Sequence, residues 1–171
     1  MSRGGRTVAR LALVLTTLLV SALRAQAAIT LPAVIGDHMV LQQGDPVIWG
    51  GATPGTRITA SLAGASASGI TGPDGRWSVT FHDLAPGGPH EMRLSGDGDA
   101  QVRDVLVGEV WIGAGQSNML VTVGSTTDGA QEAARATGDR IRMFVVESAT
   151  APQPLRNVRG TLQDADQREQ Q

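Results

Sequence analysis

Short apolar, β-branched pieces separated by glycine, proline and aspartate turns constrain the fold of this chain more than any other feature. MVL (39–41), PVIW (46–49), RITASL (57–62), WSVTF (77–81) and HEMRL (90–94) recur at short intervals. Between them stand GDP (44–46), TPG (53–55), PDG (73–75), APGGP (85–89) and GDGD (96–99). Trp77, Val79 and Phe81 alternate with Ser78 and Thr80, the period of a strand buried on one face. Asp74-Gly75 lies between two such pieces and predicts a tight hairpin, because that turn needs positive φ. Strands this short and this regularly spaced predict an antiparallel β-sandwich over 28–103.

The pattern changes after Asp104. Residues 105–112 are nearly continuously apolar and predict a strand buried on both faces of a parallel sheet. Residues 127–137 carry acidic groups early and alanines in the middle, which predicts a short helix stopped at Gly138. Residues 140–146 predict a further strand. Strand, helix and strand open an α/β domain over 104–150. From 151 periodicity is lost, and the polar run to Gln171 predicts a disordered tail over 151–171.

The first 27 residues stand apart. Arg3, Arg6 and Arg10 precede an apolar core at 11–23, and Ala25-Gln26-Ala27 follows as a small-residue exit. This order describes a secretory signal peptide, so a periplasmic or extracellular location is expected. The core is shorter than the about 20 residues that a bilayer span needs. No membrane association is expected after cleavage. Removing the four arginines at 3, 6, 10 and 24 from the fourteen basic residues leaves ten against sixteen acidic ones, a net −6. An acidic surface argues against a nucleic-acid partner. The chain has no cysteine, so neither disulfides nor thiolate metal sites are available. Nothing in the sequence fixes an oligomeric state.

The run DVLVGEVWIGAGQSNM (104–119) carries the chemistry. A strand that ends in Gly115-Gln116-Ser117-Asn118 would hold the Ser117 hydroxyl at its carboxyl end, where α/β sheets place their reaction sites. A serine becomes nucleophilic beside a base. Fifty-two residues follow Met119, and none is histidine. His38, His82 and His90 all precede the motif and read as loop or strand-end histidines; His38, next to Asp37, is the best placed to reach Ser117. Gln116 and Asn118 have two readings: they polarise a substrate carbonyl, or they satisfy backbone groups of the turn. Trp49, Trp77 and Trp111 sit in apolar or alternating pieces and read as core. Asp97 and Asp99 read as a turn, and no metal site is expected.

Three stretches together resemble the sialate O-acetylesterase family, carbohydrate esterases of the serine-nucleophile type called SGNH. They are LPAVIGDHMVLQ (31–42) with Trp49-Gly50 and Pro54-Gly55; DGRW (74–77) with APGGP (85–89); and DVLVGEVW (104–111) running into GQSNM (115–119). The resemblance continues through RIRMF (140–144) to about Pro154. It implies a β-sandwich followed by the first β-α-β segment of an SGNH hydrolase-like α/β domain, truncated before the catalytic histidine. By it Ser117 is the nucleophile and its N–H an oxyanion-hole donor, the substrate is an O-acetylated sugar or sialic acid, and no cofactor is needed. Ile112-Gly113-Ala114 departs from the family's usual cysteine- and serine-containing approach, and Leu120 stands where an acidic residue is common. Two functions follow. The chain is the amino-terminal part of an exported carbohydrate O-acetylesterase, inactive by itself. Alternatively it is a non-catalytic product whose β-sandwich binds glycan or serves structure.

Overall fold

The computed structural model describes residues 28–135, 140–155 and 157–164. The expected signal peptide at 1–27, Gly138 and the last seven residues lie outside them.

Among the described residues seven strands precede the serine motif: β1 Val40–Gln42, β2 Val47–Gly51, β3 Arg57–Leu62, β4 Ala65–Ile70, β5 Arg76–Thr80, β6 Gly87–Ser95 and β7 Asp99–Gly108. Five of them form one mixed sheet in the order β1-β7-β6-β3-β4. Within it β1 runs parallel to β7, and the other pairings are antiparallel. β2 and β5 form a separate antiparallel pair.

The alternating residues explain why the two sets of strands close on each other. Ile58, Ala60 and Leu62 of β3, Met92 and Leu94 of β6, and Val102, Val105 and Val107 of β7 share one core with Ile48, Trp77, Val79 and Phe81. Each large side chain buried this way contributes about 1.5–3 kcal/mol. The two sets come close at Gly69, where an added Cβ would meet the Ser78 carbonyl oxygen at 2.6 Å.

Turn chemistry sets the connections. Ala63 and Gly64 both have positive φ, +51° and +85°, and join β3 to β4 as a two-residue hairpin. Gly75 also has positive φ, but Asp74-Gly75 does not close the expected hairpin. β5 pairs with β2 rather than β4, so this turn carries the chain from the large sheet to the small pair.

The last part of the chain differs more from expectation. The expected boundary between 103 and 104 falls inside β7, whose valines are core residues of the β module rather than the start of a parallel sheet. After Gly108 the backbone has no regular structure until a 3-10 helix at Ser117–Leu120. A second 3-10 helix covers Val123–Ser125, and α1 spans Gly129–Arg135, inside the expected helix. β8 (Arg142–Val146) pairs antiparallel with β9 (Gly160–Asp164). The tail expected to be disordered therefore contributes a strand, because β8 needs a partner and β7 is already flanked by β1 and β6. Among the described residues no helix is long and apolar enough to cross a membrane.

Candidate active site

The segment that carries the serine motif is fixed at its start by two glutamines of β1 and the residue after it. Gln43 N–H donates to the Gly108 carbonyl at 2.8 Å, and Val110 N–H donates to Gln42 Oε1 at 2.8 Å. The Gln43 side-chain amide donates to the Glu109 carboxylate. From there the chain runs through exposed residues. Trp111 is 86% and Ile112 93% exposed, which corrects the reading of Trp111 as core. Trp49 is also exposed, at 45%, and only Trp77 of the three is buried.

The turn itself is built from backbone and glycine. Met119 N–H donates to the Gln116 carbonyl at 3.0 Å, and Val121 N–H to the Asn118 carbonyl at 3.2 Å. An added Cβ on Gly115 would lie 2.8 Å from Met119 Cγ, and one on Gly113 would lie 3.2 Å from its Cε. The two glycines therefore let the Met119 side chain fold back over the approach to the turn. Gln116 makes no side-chain bond to the helix start. Gln116, Ser117 and Asn118 are all exposed. The motif presents a solvent-facing hydroxyl, flanked by two amide side chains, at the start of a tight turn. It stands well past the end of β7 rather than at its tip.

The histidines lie elsewhere. His38 Nδ1 meets Asp104 Oδ2 at 2.6 Å, a partner 66 residues away, and not its neighbour Asp37. Asp37 instead accepts the Arg103 N–H at 2.7 Å. The grouping of Asp37, His38 and Ser117 considered from sequence is thus not formed. His82 faces Asp45 at 3.5 Å on the surface, and His90 lies in β6. Asp104 is held below its ordinary value of 3.8 by hydrogen bonds from Arg142 and then His38, with burial opposing. Hydrogen bonds from Thr53 likewise lower Asp97, which ties the β6–β7 turn to the 53–55 turn, in keeping with the turn role read from sequence. Neither Asp104 nor Arg142 was recognisable as a functional residue from the sequence, because their contacts join distant segments.

Among the described residues no group of three or more histidines, aspartates or glutamates could hold a metal ion. No family model matches the chain. It is 31% identical to the sialate O-acetylesterase of Rattus norvegicus over 140 residues, 74% of this chain and 26% of that protein. It is 30% identical to the human sialate O-acetylesterase over 138 residues, again 26% of that protein. The fold matches the crystal structure of a carbohydrate acetylesterase from Xanthomonas citri with a TM-score of 0.76 and 36% identity. That match covers 81% of this chain and 33% of the other.

The chain belongs to the sialate O-acetylesterase family. It corresponds to the amino-terminal part of these esterases and spans about a quarter of the length of the curated relatives it matches. The family relationship agrees with the resemblance carried by the three sequence stretches.

Proposed function

We propose that this chain is the nucleophile-bearing amino-terminal part of an exported carbohydrate O-acetylesterase. Ser117 attacks the acetyl carbonyl of an O-acetylated sugar, sialic acid included. The alcohol leaves with a proton, and water then releases acetate from the acyl-enzyme. The Ser117 N–H serves as one oxyanion donor, and Gln116 and Asn118, which the turn leaves unused, face the substrate. This chemistry needs no cofactor. Residues 1–27 act as the export signal. The β module, a sandwich in this reading, runs to Gly108, and the SGNH-type segment begins at 109. The observation that carries the proposal is the exposed Ser117 turn in a chain 36% identical to a carbohydrate acetylesterase of the same fold.

The 171-residue polypeptide is inactive by itself in this reading. All three histidines belong to the β module, and the best placed, His38, is engaged by Asp104. A serine without an adjacent base is a weak nucleophile. The decisive experiment replaces the corresponding part of the Xanthomonas citri acetylesterase with residues 28–155. The chimera should release acetate from an acetylated sugar, and Ser117→Ala should abolish that release. A Ser117→Ala chimera with undiminished turnover would refute the assignment.

A further inference from the structure

Arg142, the first residue of β8, has the most enclosed charged side chain of the ion pairs among the described residues, 7% exposed. Its Nη1 donates to the His38 carbonyl at 2.9 Å and to the Asp104 carbonyl, with the Met39 carbonyl at 3.5 Å. Its Nη2 donates to Asp104 Oδ1 at 2.8 Å. A planar fork of donors against carbonyls and a carboxylate is the geometry that a guanidinium fills and an ammonium does not.

The β module builds the receptor for this fork with two unusual backbone conformations. His38 and Asp104 have φ of +67° and +54°, the left-handed region that aspartate and histidine enter more readily than most residues. At Asp104 this produces a bulge. Met92 pairs with Val102 and His90 with Val105, so two steps on β6 span three on β7. The extra residue keeps both Val102 and Val105 in the core while turning the Asp104 carbonyl and carboxylate outward. His38 then holds the second carboxylate oxygen. The carbonyls of two left-handed residues and one carboxylate converge on a point outside the sheet, and Arg142 occupies it.

We propose that His38 and Asp104 form a guanidinium socket whose occupant, Arg142, anchors the β8–β9 hairpin to the β module. Arg142 is thereby a positioning residue for the segment between β7 and β8, which carries Ser117. A second tie supports the same docking: the Ala33 N–H donates to Asn157 Oδ1 at 3.1 Å, between β8 and β9. The bearing of the socket on hydrolysis rests on the reading of Ser117 as nucleophile; the anchoring does not.

The test uses the whole chain, which has no cysteine of its own. A spin label is attached through Glu147→Cys, at an exposed residue beside β8. A second label at Ser117→Cys reports on the motif. Arg142→Ala should shift both labels from a restrained to a mobile lineshape while the far-UV circular dichroism of the β core is retained. Arg142→Lys should leave both labels mobile as well, because an ammonium on the same backbone does not fill the fork. Asp104→Asn should mobilise both labels as well, since asparagine tolerates the left-handed backbone but loses the charge and replaces one of the two oxygens held by Arg142 and His38 with an NH2 donor. Labels that stay restrained in Arg142→Ala and Asp104→Asn would overturn the proposal. So would loss of the whole β core in both, because the socket would then hold up the module rather than dock the hairpin. These readouts do not depend on hydrolysis, so an inactive chimera and a mobile hairpin remain separate outcomes.

Discussion

His38 and Asp104, 66 residues apart, both adopt left-handed backbone, and their side chains meet at 2.6 Å. The contact closes the edge of the large sheet where β1 runs beside β7. It also engages His38, the histidine that the sequence places nearest to the serine motif, while leaving its ring exposed.

Acid should act through Asp104. Its folded pKa lies below 3.8, held there by Arg142 and then His38. Above the unfolded value its contribution to stability is complete, and it is lost as pH falls through the folded value. Urea unfolding of the wild type should therefore lose stability below pH 3.8 more steeply than Asp104→Asn does. Parallel pH profiles for the two proteins would remove Asp104 from the acid response.

Gly50→Ala should be destabilising. The added methyl would sit 2.2 Å from the Thr30 carbonyl oxygen and 2.7 Å from the Trp77 ring. The carbonyl belongs to backbone paired with Gly51 and has little room to yield. A cost of about 1–3 kcal/mol or more is expected from such overpacking, read as a lowered urea midpoint with unchanged slope.

Phe81 and Trp111 should behave oppositely. Phe81 is 0% exposed, and its truncation to alanine should cost about 3–5 kcal/mol. Trp111→Ala, at a residue 86% exposed, should stay within about 0.5 kcal/mol of wild type. Thermal unfolding of both variants distinguishes this arrangement from one in which Trp111 is core.

The β3–β4 hairpin offers a gain. Ala63 holds φ +51°, a left-handed conformation that costs an ordinary residue about 1–2 kcal/mol. Ala63→Asn creates the Asn-Gly pair that this turn type favours and should raise stability by about 1 kcal/mol. Gly64→Ala, at φ +85°, should lower it by a similar amount. Equal melting temperatures for the two variants would contradict the turn assignment.

Local pattern made much of the β module legible. RITASL (57–62) and WSVTF (77–81) alternate as their buried faces do, and β3 and β5 follow them. The turn glycines at 55 and 75 adopt the positive φ that their neighbours suggest. β4 was not legible: ASASGI (65–70) has little β-branched content, and it is a strand because β3 pairs with it along its whole length. β9 was missed for the same reason, since Gly160–Asp164 gains its structure from β8. The Ser117 turn was legible as a motif, but not its distance from the end of β7.

The sequence by itself determined several strands of the β module, the glycines of their turns and the family. All of these follow from side-chain period, local backbone preference and contiguous residues. Only the tertiary structure decided that β7 belongs wholly to the β module, because its valines find their buried partners there. It likewise decided that Asp104 bulges out to face Arg142 across 38 residues. Such a contact depends on charge and carbonyl geometry assembled from separate segments, and no single stretch of sequence contains that information.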